Sequence, residues 1–116
     1  MTSAQAPATA MATFQERLRA LQQDWRAQLP ARLQEIRDQL AACRAAPQDD
    51  AALQVLHRQV HTLAGSAGSF GEPELGRQAR EIELDLQRLA ALPARQPQDY
   101  DGPQQALEAL PAPASS

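Results

Sequence analysis

Two apolar stripes separated by a three-residue break constrain this chain more than any other feature. Leu53, Leu56, Val60, Leu63, Ala67 and Phe70 alternate three and four residues apart, and so, after Gly71-Glu72-Pro73, do Leu75, Ala79, Ile82, Leu86 and Leu89. That spacing puts each set on one face of an α-helix. Glycine suits a C-terminal turn and proline the first helical position, so the break ends one helix and opens the next. A connection this short makes the two helices antiparallel neighbours, a hairpin whose apolar side must be covered.

The remaining apolar positions supply the cover. Thr13 followed by Glu16 reads as a capping box, after which Phe14, Leu18, Leu21 and Trp25 repeat at helical spacing, predicting a helix from about Thr13 to Leu29. The periodicity resumes with Leu33, Ile36, Leu40 and Cys43 but slips at Leu29-Pro30, which predicts either a kink or a helix boundary. Pro47, Gln48, Asp49 and Asp50 form the next break, with the aspartates placed to cap the first helix of the hairpin. Pro93 to Asp101 reads as loop, and Asp101-Gly102-Pro103 opens a last short helix bearing Ala106, Leu107 and Leu110. Aromatic residues are only 3% of the chain, which further favours helices over strands. The expected architecture is all-α: an antiparallel up-and-down four-helix bundle with an additional N-terminal helical segment, over residues 13–110. The Ala-, Pro- and Ser-rich ends, 1–12 and 111–116, are expected to be disordered tails.

The net charge of −3 is spread along the chain without a basic block, so binding to nucleic acid is not expected. No apolar run approaches the roughly 20 residues that span a bilayer, and no secretory leader is evident, so a cytoplasmic protein without a membrane partner is expected. Cys43 stands alone on an apolar face and reads as a buried thiol. A monomer is expected, unless the core leaves the apolar N-terminal helix uncovered, in which case it could pair with another copy.

His61 falls outside the apolar stripe of its helix, roughly 130° from the stripe's centre at about 100° per residue, so its imidazole should reach solvent. Gly65 lies one turn later on the same face with Gly68 beside it, although each glycine costs close to 1 kcal/mol in a helix. Two readings of the glycines stand: close helix packing, or access for a partner that must bring a reactive group up to the imidazole. His57 precedes His61 by four residues, a spacing at which two histidines can share a metal, but the sequence offers no third ligand nearby. His57 therefore reads as a residue packed at the edge of the bundle, and no metal is expected.

The segment His61-Thr62-Leu63-Ala64-Gly65-Ser66-Ala67-Gly68-Ser69-Phe70-Gly71 resembles the signature of histidine-containing phosphotransfer (HPt) domains, H-x-L-K-G followed by five residues and G. Leu75, Ala79 and Ile82-Glu83 continue the pattern, and a looser likeness covers about Thr13 to Leu110. Among such domains, the chain resembles those of chemotaxis kinases and of some cyclase-linked or hybrid-kinase modules. The resemblance implies that His61 is phosphorylated, that Gly65 leaves room for a receiver domain, and that Gly71 makes the turn. It puts Glu83 where such domains carry a group that hydrogen-bonds one imidazole nitrogen. One departure stands out: the signature lysine is Ala64, so a cation near the phosphoryl group is missing. Arg58 and Arg80 are candidates to replace it, or are plain surface arginines.

What the resemblance implies functionally is a phosphocarrier of a two-component phosphorelay, with no cofactor of its own and Mg2+ on the partner. That partner is the receiver domain of a response regulator or hybrid histidine kinase, docking over Gln54, Arg58, Thr62, Gly65, Gly68 and Ser69. The chain shows no glycine-rich phosphate loop and no kinase signature, so autonomous kinase activity is not expected. Ala64 keeps a second reading open: a phosphorylation-independent adaptor that binds a receiver or kinase. The chain reads either as a standalone carrier or as one module of a larger protein.

Overall fold

A computed structural model describes residues 6–111. Helix α1 runs from Ala6 to Ala45, α2 from Asp50 to Ser69 and α3 from Pro73 to Ala90, followed by a 3-10 turn, Pro97–Tyr100, and α4, Asp101–Glu108. There are no strands among the described residues, and the all-α four-helix architecture is the one expected.

The α2–α3 hairpin forms where the spacing demands. Asp49 caps α2 by accepting from the Ala52 backbone N–H at 3.1 Å. Gly71 turns the chain with φ of 83°, a left-handed conformation that glycine adopts without strain, and Pro73 stands in the first turn of α3. Leu53, Leu56, Val60, Leu63 and Ala67 meet Leu75, Ala79, Ile82 and Leu86 in a continuous core. Gly76 permits this approach: a Cβ there would lie 3.1 Å from the Ala64 carbonyl oxygen and 3.2 Å from the Gly68 nitrogen.

Helix α1 differs from the sequence expectation in three connected ways. It passes through Pro30 without a boundary. An internal proline costs about 3 kcal/mol, and here apolar residues on both sides of it, Trp25 and Leu29 before, Ile36, Leu40 and Cys43 after, are buried against the hairpin and hold the helix together. The helix also begins at Ala6, so Thr13 is internal rather than a cap, and its hydroxyl donates to the Thr9 carbonyl at 3.0 Å. Residues 6–12 of the expected tail are therefore helical, while 1–5 and 112–116 lie outside the described residues. Finally, the expected core stripe is covered only from Trp25 onward: Phe14, Leu18 and Leu21 are exposed. The cause is length, since helices of 20 and 18 residues folded back to back cover about half of one of 40.

Two contacts mark where the cover ends. Trp25 stacks on Phe70 with ring centroids 5.9 Å apart, and Arg26 bonds the buried Glu72 carboxylate at 3.0 Å. At the opposite end, buried Arg95 donates to the Pro47 carbonyl at 2.8 Å and pairs with Asp50, fastening the segment after α3 to the α1–α2 connection. Tyr100 fills the space between α1 and the 3-10 turn, where burial pushes the Cys43 thiol above its ordinary pKa. α4 closes the bundle with Pro103 and Leu107.

Candidate functional site

The outer side of the hairpin is built from the same one-turn spacing as its core. His57 and His61 are successive turns of α2, while Glu83 and Gln87 are successive turns of α3. Antiparallel packing brings the two pairs together. The His61 side chain is 63% exposed, whereas that of Glu83 is 4% exposed and lies beneath it.

The Nδ1 of His61 lies 2.8 Å from Glu83 Oε2. A carboxylate only accepts, so this contact calls for a proton on Nδ1 and leaves Nε2 of a neutral ring with its lone pair. The same oxygen lies 3.5 Å from His57 Nε2, which is also 3.3 Å from Gln87 Nε2. His57 can accept from the amide or, when it carries a proton there, donate to the carboxylate, but one nitrogen cannot do both. The two imidazoles lie nearly parallel, centroids 6.3 Å apart and planes 14° apart. The other oxygen of Glu83, Oε1, is buried without a hydrogen bond and has Arg80 3.8 Å away.

These groups line a cleft of about 750 Å³ between α2 and α3, with Gln54, Arg58 and His61 on one side and Leu86, Gln87 and Ala90 on the other. Arg58 thus shares the cleft with His61, whereas Arg80 faces the Glu83 carboxylate from outside it. Ala64, partly buried against the core, presents no charge.

Beyond His61 toward the turn, the surface is low. A Cβ on Gly65 or Gly68 would meet nothing within 4 Å, so open space lies where either side chain would stand, while on its other side the backbone of Gly68 packs against Gly76, the close-packing glycine of the hairpin. Thr62 and Ser69 are exposed on this stretch, and Ser66 and Ser69 turn their hydroxyls back to the Thr62 and Gly65 carbonyls at 2.8 and 3.2 Å. The expected residues therefore divide between the cleft (Gln54, Arg58, His61, Glu83) and the flat stretch beside it (Thr62, Gly65, Gly68, Ser69).

Sequence reasoning overlooked Gln87 and left His57 at the bundle edge; the structure puts both in the cleft. The matched four-residue spacings of His57 and His61 on one helix, and of Glu83 and Gln87 on its antiparallel neighbour, were the available signal. Among the described residues, no group of three or more His, Cys, Asp or Glu is arranged to hold a metal ion, and no helix is long and apolar enough to cross a membrane.

No curated protein and no solved structure matches the chain. The family model for the Hpt domain, however, matches residues 8–112, from the first turn of α1 past the end of α4. With that match over nearly the whole chain and a four-helix fold that presents His61 on its central hairpin, the protein belongs to the Hpt domain family, whose members carry phosphoryl groups on histidine in phosphorelays.

Proposed function

We propose that His61 is the phosphoryl carrier of this chain, taking the group from a receiver-domain aspartate and returning it to another. The observation that carries the reading is the 2.8 Å contact between His61 Nδ1 and the buried Glu83 carboxylate, which leaves Nε2 as the free nitrogen on an exposed ring. In the forward step the Nε2 lone pair forms the N–P bond while the acyl O–P bond breaks and the aspartate leaves as a carboxylate. No proton has to depart from Nε2. The phosphorylated ring keeps its Nδ1 proton and gains positive charge, which the Glu83 carboxylate opposes at hydrogen-bond distance.

Phosphoryl transfer depends on alignment and charge stabilisation, so a carrier can act as a substrate while the receiver supplies the divalent ion and most of the electrostatics. The carrier then needs no cofactor and has no kinase activity of its own. The open surface over Gly65 and Gly68, with Thr62 and Ser69 around it, is where the receiver comes down, and Gln54 and Arg58 contact it from the cleft. Arg58 is the better replacement for the cation missing at Ala64, because it lines the cleft with His61. Arg80 instead sits by Glu83 Oε1, where it offsets the buried carboxylate.

The test is transfer from a phosphorylated receiver to the purified chain. Wild type and His57→Gln are expected to take acid-labile label and His61→Gln to take none. If none of the three is labelled by receivers that phosphorylate a control Hpt domain, the carrier role fails. In that event Ala64 favours the adaptor reading, tested by whether Gly65→Arg still blocks receiver binding.

A further inference from the structure

We propose that Gln87 is a positioning residue that works through His57: it keeps the ring proton off His57 Nε2, so that the Glu83 carboxylate serves His61 alone. The assignment rests on His61 as the phosphoryl carrier and adds what keeps the partner of its Nδ1 available. Both histidines address one atom, since His61 Nδ1 lies 2.8 Å and His57 Nε2 3.5 Å from Glu83 Oε2. The second oxygen gives no relief, because Oε1 is buried without a hydrogen bond, 3.8 Å from Arg80. Nor does a second carboxylate, because Asp50, which also lines the cleft, is paired with Arg95.

What His57 does to Glu83 depends on where its own ring proton sits. A neutral imidazole has one N–H and one lone pair. With the proton on Nε2, His57 donates to Glu83 Oε2, and an oxygen that accepts twice holds each donor less firmly. The bond to the His61 ring then weakens, that ring populates its other tautomer, and the His61 Nε2 lone pair is occupied by a proton for part of the time. With the proton on Nδ1, His57 Nε2 presents a lone pair and needs a donor. Gln87 supplies it: its amide nitrogen lies 3.3 Å from His57 Nε2 and has only N–H to offer, so this contact selects the Nδ1–H tautomer of His57. Without the amide, the lone pair would be left against a carboxylate oxygen, an arrangement that favours the Nε2–H form. Gln87 follows Glu83 by one turn of α3 as His57 precedes His61 by one turn of α2, so amide and carboxylate meet the two rings in matched order.

The test is the 15N spectrum of both rings in the unphosphorylated full chain at about pH 8.5, above the range in which histidines ordinarily titrate. Circular dichroism checks that each variant keeps its helices. In wild type both rings are expected mainly as Nδ1–H tautomers. Gln87→Met removes the donor at an exposed helical position. It should move the His57 ring to Nε2–H and the His61 ring toward a mixture, and slow phosphoryl uptake about threefold to tenfold. In a His57→Leu background the same Gln87→Met change should alter neither the His61 ring nor uptake. A His57 ring that is already Nε2–H in wild type, or that Gln87→Met leaves unmoved, overturns the proposal. So does equal slowing in both backgrounds, which would make Gln87 a receiver contact instead. The ring spectra are read without any receiver, so a His61 that takes no label would sink the carrier role while the spectra still decide whether Gln87 acts on His61 through His57.

Discussion

The two halves of the α2–α3 hairpin use one packing scheme to opposite ends. Near the turn the backbones close on each other over Gly76, so tightly that a methyl group would press on the Ala64 carbonyl and the Gly68 nitrogen. Away from the turn the same helices leave a cleft, and Glu83 is buried in its floor with one oxygen on His61 and the other without a hydrogen bond, 3.8 Å from Arg80. The close half fixes the register that puts Glu83 under His61. The open half uses that register to hold a carboxylate which burial alone would disfavour. The comparison teaches that rigidity at the turn and access at the cleft belong to one device, so perturbing either half should have effects of different kind.

The largest effect is expected in the open half. A hydrogen bond to a charged group contributes about 1.5–3 kcal/mol, so Glu83→Ala should slow phosphoryl uptake on His61 by about tenfold to a hundredfold. Glu83→Gln keeps an acceptor without the charge and should lie between. The diagnostic measurement is the 15N spectrum of the His61 ring: wild type should be mainly the Nδ1–H tautomer and Glu83→Ala a mixture. Unchanged tautomer populations would mean that Glu83 does not orient the ring, whatever the rate does.

Next come the glycines, for which the inner and outer faces of the hairpin predict opposite signs. Gly76→Ala forces a Cβ against the backbone of α2, and overpacking of about 1–3 kcal/mol should exceed the gain in helix propensity, lowering stability. Gly65→Ala meets nothing within 4 Å and should raise stability by about 0.5–1 kcal/mol. Urea unfolding of both variants checks the pair. A stabilised Gly76→Ala would show that the hairpin is looser at the turn than its geometry indicates.

How much of this was legible beforehand follows from what each feature depends on. The hairpin was readable because its spacing, Gly71 and Pro73 are local signals, and His61 because the signature surrounds it. The continuity of α1 was not, since the cost of Pro30 is visible in the sequence while the burial of Leu29 and Ile36 that offsets it is tertiary. The Phe14–Leu21 stripe was seen as apolar, but whether it is covered depends on the lengths of three helices at once. Arg95 and Tyr100 sit in a stretch read as loop, and only the assembled end of the bundle shows them buried. Within the site, His61 and Glu83 followed from the resemblance, whereas Gln87 required knowing which turn of α3 faces His57.

The smallest effect separates the two carboxylates of α3 that the comparison sets apart. Glu83 is buried in the cleft, but Glu74, near the turn, is exposed and held by Arg77 at 2.6 Å and Gln78 at 2.9 Å. The hydrogen bonds from Arg77 first, and then Gln78, lower its pKa from 4.5 to about 2. Folding therefore favours its charged form. The contribution is complete above the unfolded value near 4.5, declines as pH falls, and is gone once pH drops below about 2. Thermal melting of wild type and Glu74→Gln between about pH 6 and about pH 3 should show a small gap in favour of wild type that narrows toward the acid end. Because the pair is exposed, salt should also shrink the gap at neutral pH. A gap constant with both pH and salt would mean that the carboxylate acts through its shape alone, and that the hairpin's turn half owes its stability to packing at Gly76 rather than to charge.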